Sequence, residues 1–464
     1  MSAPALSPTR REFLAAAASV AGGLTVRRPA ARKPNIVLIL ADDLGWTDLG
    51  CQGSRYYQTP NIDRLAREGV RLTSFHQCPN CAPTRAAMLT GCYAPRTGIY
   101  TVGTLARGND ADRDMVVPRN VTDLPLSLHT FADQLREAGY ATGMFGKWHL
   151  GAGADHHPTR RGFDEAIVSD GRHFDFLTDP VTPYPKGQYL ADFLTDRAVD
   201  FVRRHRAGPF LLYLPHFAVH SPHQAKPDLI ERYRKRKPIG GHRDPVYAAM
   251  IASVDESVGR VLATLRDLGL DRDTVVIFTS DNGGVGGYAE IGGQGITDNA
   301  PLRGGKGMLY EGGVRVPFII RWPRVAPADR ACSEPAIHVD FMPTLLELAG
   351  ARRPEQPADG ASLVPLFRDP RARLPARGIY QHMPGYLEGY RTTRWRTTPA
   401  ASVTSGDWKL IGFFEDGRRE LYNLRTDLRE KRDLASAMPE KAKELREMML
   451  RWRAQTNAAM PVRK

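Results

Sequence analysis

The sequence predicts an α/β fold: a large mixed, mostly parallel sheet flanked by helices, then a smaller C-terminal antiparallel sheet plus helix. Three observations carry this. Apolar, β-branched runs at residues 35–40 and 274–279 read as strands buried on both faces, the mark of a parallel sheet. Helix-period segments alternate with further such runs, 126–138 with 141–145 and 189–205 with 210–214. A Pro- and Arg-rich connection at residues 352–376 then separates this pattern from a hairpin-like stretch. With 464 residues, 42% of them hydrophobic, the chain can bury a core of that size. The expected organisation is a leader at 1–32, an α/β domain at 33–365 and a small α+β domain at 366–464.

The leader comes first. Thr9-Arg10-Arg11-Glu12-Phe13-Leu14 precedes an alanine-rich, weakly apolar run to Leu24, which reads as a twin-arginine export signal. The run is too short for a membrane-spanning helix, so no stable span is expected. The expected location is periplasmic or secreted, reached by the twin-arginine export machinery.

Residues 35–40 form the first strand, and Asp42-Asp43 follow it. Ligands gather at strand ends in α/β folds, and adjacent carboxylates repel unless a cation sits between them. Thr59-Pro60 opens a helix, and residues 70–75 form a strand that leads to Cys78-Pro-Asn-Cys81-Ala-Pro83-Thr84-Arg85. Pro83 fits a first helical turn and Gly91 can end the helix. That puts Cys81 just before a helix N-terminus, where free N–H groups favour an anion, with the Arg85 guanidinium one turn on.

The strand at 141–145 delivers Gly146-Lys147-Trp148-His149, whose Lys and His alternate and so can share a face. The strand at 210–214 delivers His216, His220 and His223. Residues 231–237 are charge-dense and read as solvated, and 246–268 as a long helix. The strand at 274–279 ends in Asp281-Asn282, followed by a Gly-rich loop at the site's rim. Gly304-Gly-Lys306 through Glu311-Gly-Gly-Val-Arg315-Val-Pro317 looks like a phosphate loop but lacks the Walker spacing. Residues 318–321 read as a strand and 338–350 as a helix with a Gly stop. Residues 405–413 and 420–424 read as a hairpin around Asp416-Gly417, and 440–455 as an amphipathic helix.

The formal charge is +13, and +9 without the five Arg and one Glu of the first 32 residues. This suits an Arg-rich protein or attraction for an anionic substrate; spread-out basic residues with no binding motif argue against nucleic acid. Five cysteines are too few for a disulfide scaffold, leaving room for one or two bridges. Asp42, Asp43, Asp281 and Asn282 offer oxygen ligands only, which suit Ca2+ or Mg2+ better than Zn2+.

Cys81-x-Pro83-x-Arg85 with Leu89-Thr90-Gly91 resembles the signature of the type I sulfatases, members of the alkaline phosphatase superfamily. Thr84 stands where that family usually has Ser. Gly146-Lys-Trp-His149, the His220-Ser-Pro222 setting, and the Gly305-Lys306…Glu311-Gly-Gly-x-Arg315-x-Pro317 run resemble further motifs of the family, in its order, over roughly residues 35–456.

The resemblance implies an alkaline-phosphatase-like fold and an arylsulfatase-like sulfuric ester hydrolase. It implies that a formylglycine-generating enzyme oxidises Cys81 to formylglycine. It implies Ca2+, with Mg2+ possible, held by Asp42, Asp43, Asp281, Asn282 and position 81. Hydrolysis of a sulfate ester would then use a formylglycine hydrate as nucleophile. His220 would be the general acid with Lys306 nearby, and His149 the base. Arg85, Lys147 and Lys306 would stabilise the sulfuryl oxygens. A sulfated carbohydrate is the expected substrate, and aryl sulfates would also react. The alternatives are a phosphoester or phosphonate monoester hydrolase of the same superfamily, and a non-catalytic anion-binding protein.

Overall fold

The computed structural model describes Met1 and residues 33–464, except 390, 391 and 393. The twin-arginine motif lies outside the described residues. Eight strands build the main sheet: β1 (Asn35–Ala41), β2 (Val70–Leu72), β3 (Ala141–Gly146), β4 (Glu165–Val168), β5 (Phe210–Pro215), β6 (Thr274–Ser280), β7 (Phe318–Arg321) and β8 (Arg330–Cys332). Their spatial order is β8-β2-β7-β6-β1-β5-β3-β4. The pairing is parallel throughout, except that β7 runs antiparallel to β2 and β6.

The strand centre explains the fold. Ile36, Leu38 and Leu40 of β1 face one hydrophobic layer, and Val37, Ile39 and Ala41 face the other. A strand buried on both faces needs helices on both, which is why its sequence is continuously apolar. One layer is closed by α1 (Pro60–Arg67), α4 (Leu190–Arg204) and α5 (Pro245–Asp267). The opposite layer is closed by α2 (Cys81–Thr90), α3 (Phe131–Glu137) and α6 (Phe341–Ala349).

Local chemistry sets several boundaries. Pro245 stands at the first turn of α5, and the Asp244 carboxylate accepts Tyr247 N at 2.8 Å as a cap. The helix expected over 126–138 begins only at Phe131, because Thr130 and Asp133 form a reciprocal capping box there. The single strand expected at 70–75 is two: Val70–Leu72 joins the main sheet, and Phe75–His76 pairs with Ala336–Ile337. Cys81 is the first residue of α2 rather than the residue before it, and Gly91 ends that helix at φ 69°.

Beyond α6, β9 (Ile379–Met383), β10 (Leu387–Glu388), β11 (Trp395–Thr397), β12 (Ala400–Ser405), β13 (Trp408–Phe413) and β14 (Arg419–Asn423) precede α7 (Pro439–Gln455). β9, β12, β13 and β14 form an antiparallel sheet, and β10 pairs with β11. Residues 405–413 are therefore not one strand: β12 turns at Gly406 (φ 55°) into β13. One face of this sheet packs on α7 through Val403, Leu410, Leu445 and Met449. The other packs on Tyr100, Leu105 and Leu309 through Met383, Ile411 and Tyr422. Residues 33–464 form one compact unit. Among the described residues no helix is long and apolar enough to cross a membrane.

Candidate active site

The C-terminal ends of β1, β3, β5 and β6 meet at one point. Asp281 N donates to Ala41 O at 3.1 Å, Val219 N to Asp42 O at 2.7 Å, and Lys147 N to Pro215 O at 2.8 Å. These backbone bonds continue the sheet past its strands and lock the four loops in register. Gly283 is required here, since a Cβ would meet Gly312 O at 1.9 Å. Asp43 and His149 both take left-handed backbone conformations, φ 64° and 65°; such strain in non-glycine residues gathers at functional sites.

The floor is buried and charged. Arg85 donates Nε and Nη2 to Asp281 Oδ2 at 3.1 and 2.8 Å, and Nη1 to the Lys147 carbonyl at 2.7 Å. Lys147 Nζ lies 2.5 Å from Asp42 Oδ2, and Lys306 Nζ 2.8 Å from Asp43 Oδ2. Asn282 Nδ2 donates to Asp43 Oδ1 at 2.8 Å. Burial alone would raise the Asp42 and Asp43 carboxyls; the cations beside them hold both below the usual carboxylate range. Asp281 is pushed up, by burial first and then by Asp42, against the pull of Arg85.

A cation fits this floor. Ligand atoms of Asp42, Cys81 and Asp281 lie within 4.8 Å of one another, as do those of Asp42, Asp43 and His220. Asp42 Oδ1 and Asn282 Oδ1 are buried with no hydrogen-bond partner among the described residues. Buried oxygens left bare are costly, and a hard divalent ion satisfies both.

Above the floor opens a cavity of about 360 Å3, lined by Cys81, Lys147, His149, His220 and Lys306 among others. Lys147 and His149 reach it from the turn after β3. Burial, with Lys147 and Arg85 nearby, lowers the His149 imidazole to about 4. His220 Nδ1 donates to the Ser221 carbonyl at 2.6 Å, so Nε2 is turned toward Asp43 Oδ2, 3.8 Å away. The two other histidines of that segment lie elsewhere: His216 is buried with Nε2 2.9 Å from Ser257 Oγ, and His223 packs on Tyr247. Cys51, Cys78, Cys81, Cys92 and Cys332 are all free thiols.

The sequence motifs assign no role to several neighbours. His173 Nε2 donates to the His220 carbonyl at 2.8 Å and stacks on Phe217, so it braces the His220 turn from below. Glu311 and Arg315, visible as motif letters, form a buried network. Glu311 accepts His76 Nε2 at 3.1 Å, Arg315 Nε at 2.6 Å and Lys409 Nζ at 2.8 Å. Lys409 also pairs with Glu430 at 2.9 Å, and Glu430 accepts the Glu311 N–H at 2.7 Å. The small sheet is thereby tied to the loop bearing Lys306. A lysine inside the apolar strand Trp408-Lys-Leu-Ile was the available signal. Arg107 and Arg396, which also line the cavity, lie outside every motif.

A basic cavity thus opens over a buried cluster of groups that could hold a metal ion, and the comparisons say which class of protein carries it. The family described as Sulfatase matches residues 34–351, and that described as N-sulphoglucosamine sulphohydrolase, C-terminal, matches residues 305–455. The chain belongs to the sulfatase family, whose members are sulfuric ester hydrolases. A sulfatase of Formosa agariphila is 34% identical, covering 89% of this chain and 86% of that one. A Mus musculus steryl-sulfatase is 34% identical over 83% and 72% of the two chains. The crystal structure of Ps i-CgsB in complex with k-i-k-neocarrahexaose superposes with a TM-score of 0.77 at 30% identity, covering 91% of this chain and 93% of that one.

Proposed function

We propose that this chain hydrolyses sulfate esters of carbohydrates, and aryl sulfates as assay substrates, through formylglycine made from Cys81 and a divalent ion, Ca2+ in first place. One observation carries the reading: the side chain at position 81 shares a buried ligand cluster with Asp42 and Asp281 at the floor of a basic cavity. Asp42, Asp43, Asp281 and Asn282 would hold the ion, which supplies positive charge against the sulfate. The aldehyde hydrate supplies two hydroxyls on one carbon, one to attack sulfur and one to release the product.

The remaining steps fall to this chain's own side chains. Arg85 is fixed by three hydrogen bonds beside Asp281, so its charge stands preorganised and would stabilise the sulfuryl oxygens. Lys147 and Lys306 present ammonium groups to the sulfuryl oxygens. His220, tethered at Nδ1, holds the proton for the leaving alcohol at Nε2. His149 is neutral near pH 7 and takes the proton that releases sulfate. Export by the twin-arginine route, after folding and modification, completes the proposal; cytoplasmic retention of the wild-type chain in its own host would contradict it.

Paired kcat/KM values on 4-nitrophenyl sulfate and 4-nitrophenyl phosphate test the function. The sulfate is expected to react faster, with activity lost in Cys81→Ala. A faster phosphate would move the chain to phosphoester hydrolysis.

A further inference from the structure

We propose that His173 is a positioning residue for the leaving-group acid: its ring holds the turn that aims His220 Nε2 into the cavity. This rests on the sulfatase reading above and on the acid role given there to His220.

His173 is fully buried behind two residues of the cavity wall, Phe217 and His220. Its ring stacks on Phe217, with centroids 4.8 Å apart, and on Tyr189, 5.7 Å apart. Its backbone is fixed as well: His173 N donates to Gln224 Oε1 at 3.2 Å, and its carbonyl accepts Leu190 N at 2.8 Å. Tyr189 Oη donates to the Gln224 carbonyl at 2.9 Å. Residue 173, the start of α4 and residues 217–224 thus close into one clasp.

The clasp leaves the imidazole one polar task. Nε2 lies 2.8 Å from the His220 carbonyl, which can only accept, so Nε2 carries the proton. Nδ1 is buried with no hydrogen-bond partner among the described residues. The other bonds of the His220 turn are local: His220 N donates to Phe217 O at 3.0 Å and Nδ1 to Ser221 O at 2.6 Å. His173 adds a fastening from a separate segment. A carbonyl stripped of its donor turns toward another partner, and the turn that carries it shifts too. A catalytic group misplaced by about 1 Å can cost about 100-fold in rate. Only histidine joins a stacking ring to an N–H on this edge; Phe keeps the stack and loses the donor, and Gln does the reverse.

A leaving-group series tests this, because an acid matters most where the departing oxygen is most basic. The probes are 4-nitrophenyl, phenyl and 4-methoxyphenyl sulfate, with the full-length, modified protein and Ca2+. In His173→Phe, kcat/KM is expected to fall at least about tenfold more on the 4-methoxyphenyl ester than on the 4-nitrophenyl ester. His173→Gln is expected to show a smaller selective loss. The ratio of the two rates does not depend on how much of the protein is folded or modified, so a merely structural defect leaves it unchanged. His220→Gln is expected to show the same selectivity, and the double variant His173→Phe/His220→Gln no more than His220→Gln alone. An equal loss on all three esters in both His173 variants, or selective losses that add in the double variant, overturns the proposal. No selective loss in His220→Gln would overturn the acid assignment and the proposal with it. No turnover of 4-nitrophenyl sulfate by the wild type would instead overturn the sulfatase reading beneath both.

Discussion

Arg85 and Asp281 are joined through two N–H donors on a single carboxylate oxygen, and both side chains are fully buried. The contact fastens the first turns of α2 to the end of β6, the two elements that carry position 81 and Asp281-Asn282. Removing one partner leaves the other charge buried, which costs about 3–5 kcal/mol. Arg85→Ala is therefore expected to lower stability by that order in denaturant titration. Arg85→Lys keeps the charge but loses the planar fork, and kcat/KM on 4-nitrophenyl sulfate is expected to fall about 100-fold or more. Near-wild-type activity in Arg85→Lys would contradict this role.

Lys409 sits on β13, yet its ammonium lies between Glu311 and Glu430. Burial opposes its charge, and the two carboxylates hold the charge in place. Lys409→Met leaves two buried carboxylates facing each other. Unfolding is expected to become easier by about 3–5 kcal/mol, and kcat to fall because the loop bearing Lys306 loses its anchor. Full activity with unchanged stability would show that the network is idle.

The bare buried oxygens of Asp42 and Asn282 would make the proposed ion a structural partner as well as a chemical one. Chelation is expected to lower Tm, and Ca2+ to restore it in a concentration-dependent manner. Asp42→Asn should weaken that response. A Tm indifferent to chelator and Ca2+ would remove the ion from the account.

His382 is buried, and burial lowers its imidazole to about 4, although Nε2 donates to Ala459 O at 2.8 Å. Between its ordinary value of 6.5 and about 4, the unfolded chain binds the proton and the folded chain does not. Its contribution is thus present above 6.5 and lost as the pH falls toward about 4. The stability gap between wild type and His382→Gln is expected to shrink by up to roughly 3 kcal/mol from pH 7.5 to pH 4.5. A gap independent of pH would mean that the imidazole is not buried neutral.

The strand ends were legible because β1 and β6 are apolar on both faces and stop at carboxylates. Cys81, Lys147, His149 and Lys306 could be named because they fall in short ordered motifs that the fold draws together at strand ends and loops. The start of β12 was not legible: Ala400-Ala-Ser-Val-Thr-Ser405 has weak alternation and only its pairing with β9 and β13 makes it a strand. Arg107 was invisible as a site residue, and Arg396 showed only as part of a basic, aromatic stretch at 386–396 that could approach an anionic sugar, since only tertiary contacts around Tyr386 and Trp395 bring the two loops together. Lys409 was readable as a misplaced charge, but its partners Glu311 and Glu430 lie far away in the chain.

The most direct test of the account is mass spectrometry of the tryptic peptide spanning residues 72–85, from protein purified from its own host. The expected mass is that of an aldehyde or its hydrate at position 81. An intact cysteine thiol there, in protein that is otherwise folded and active, would contradict the proposed chemistry.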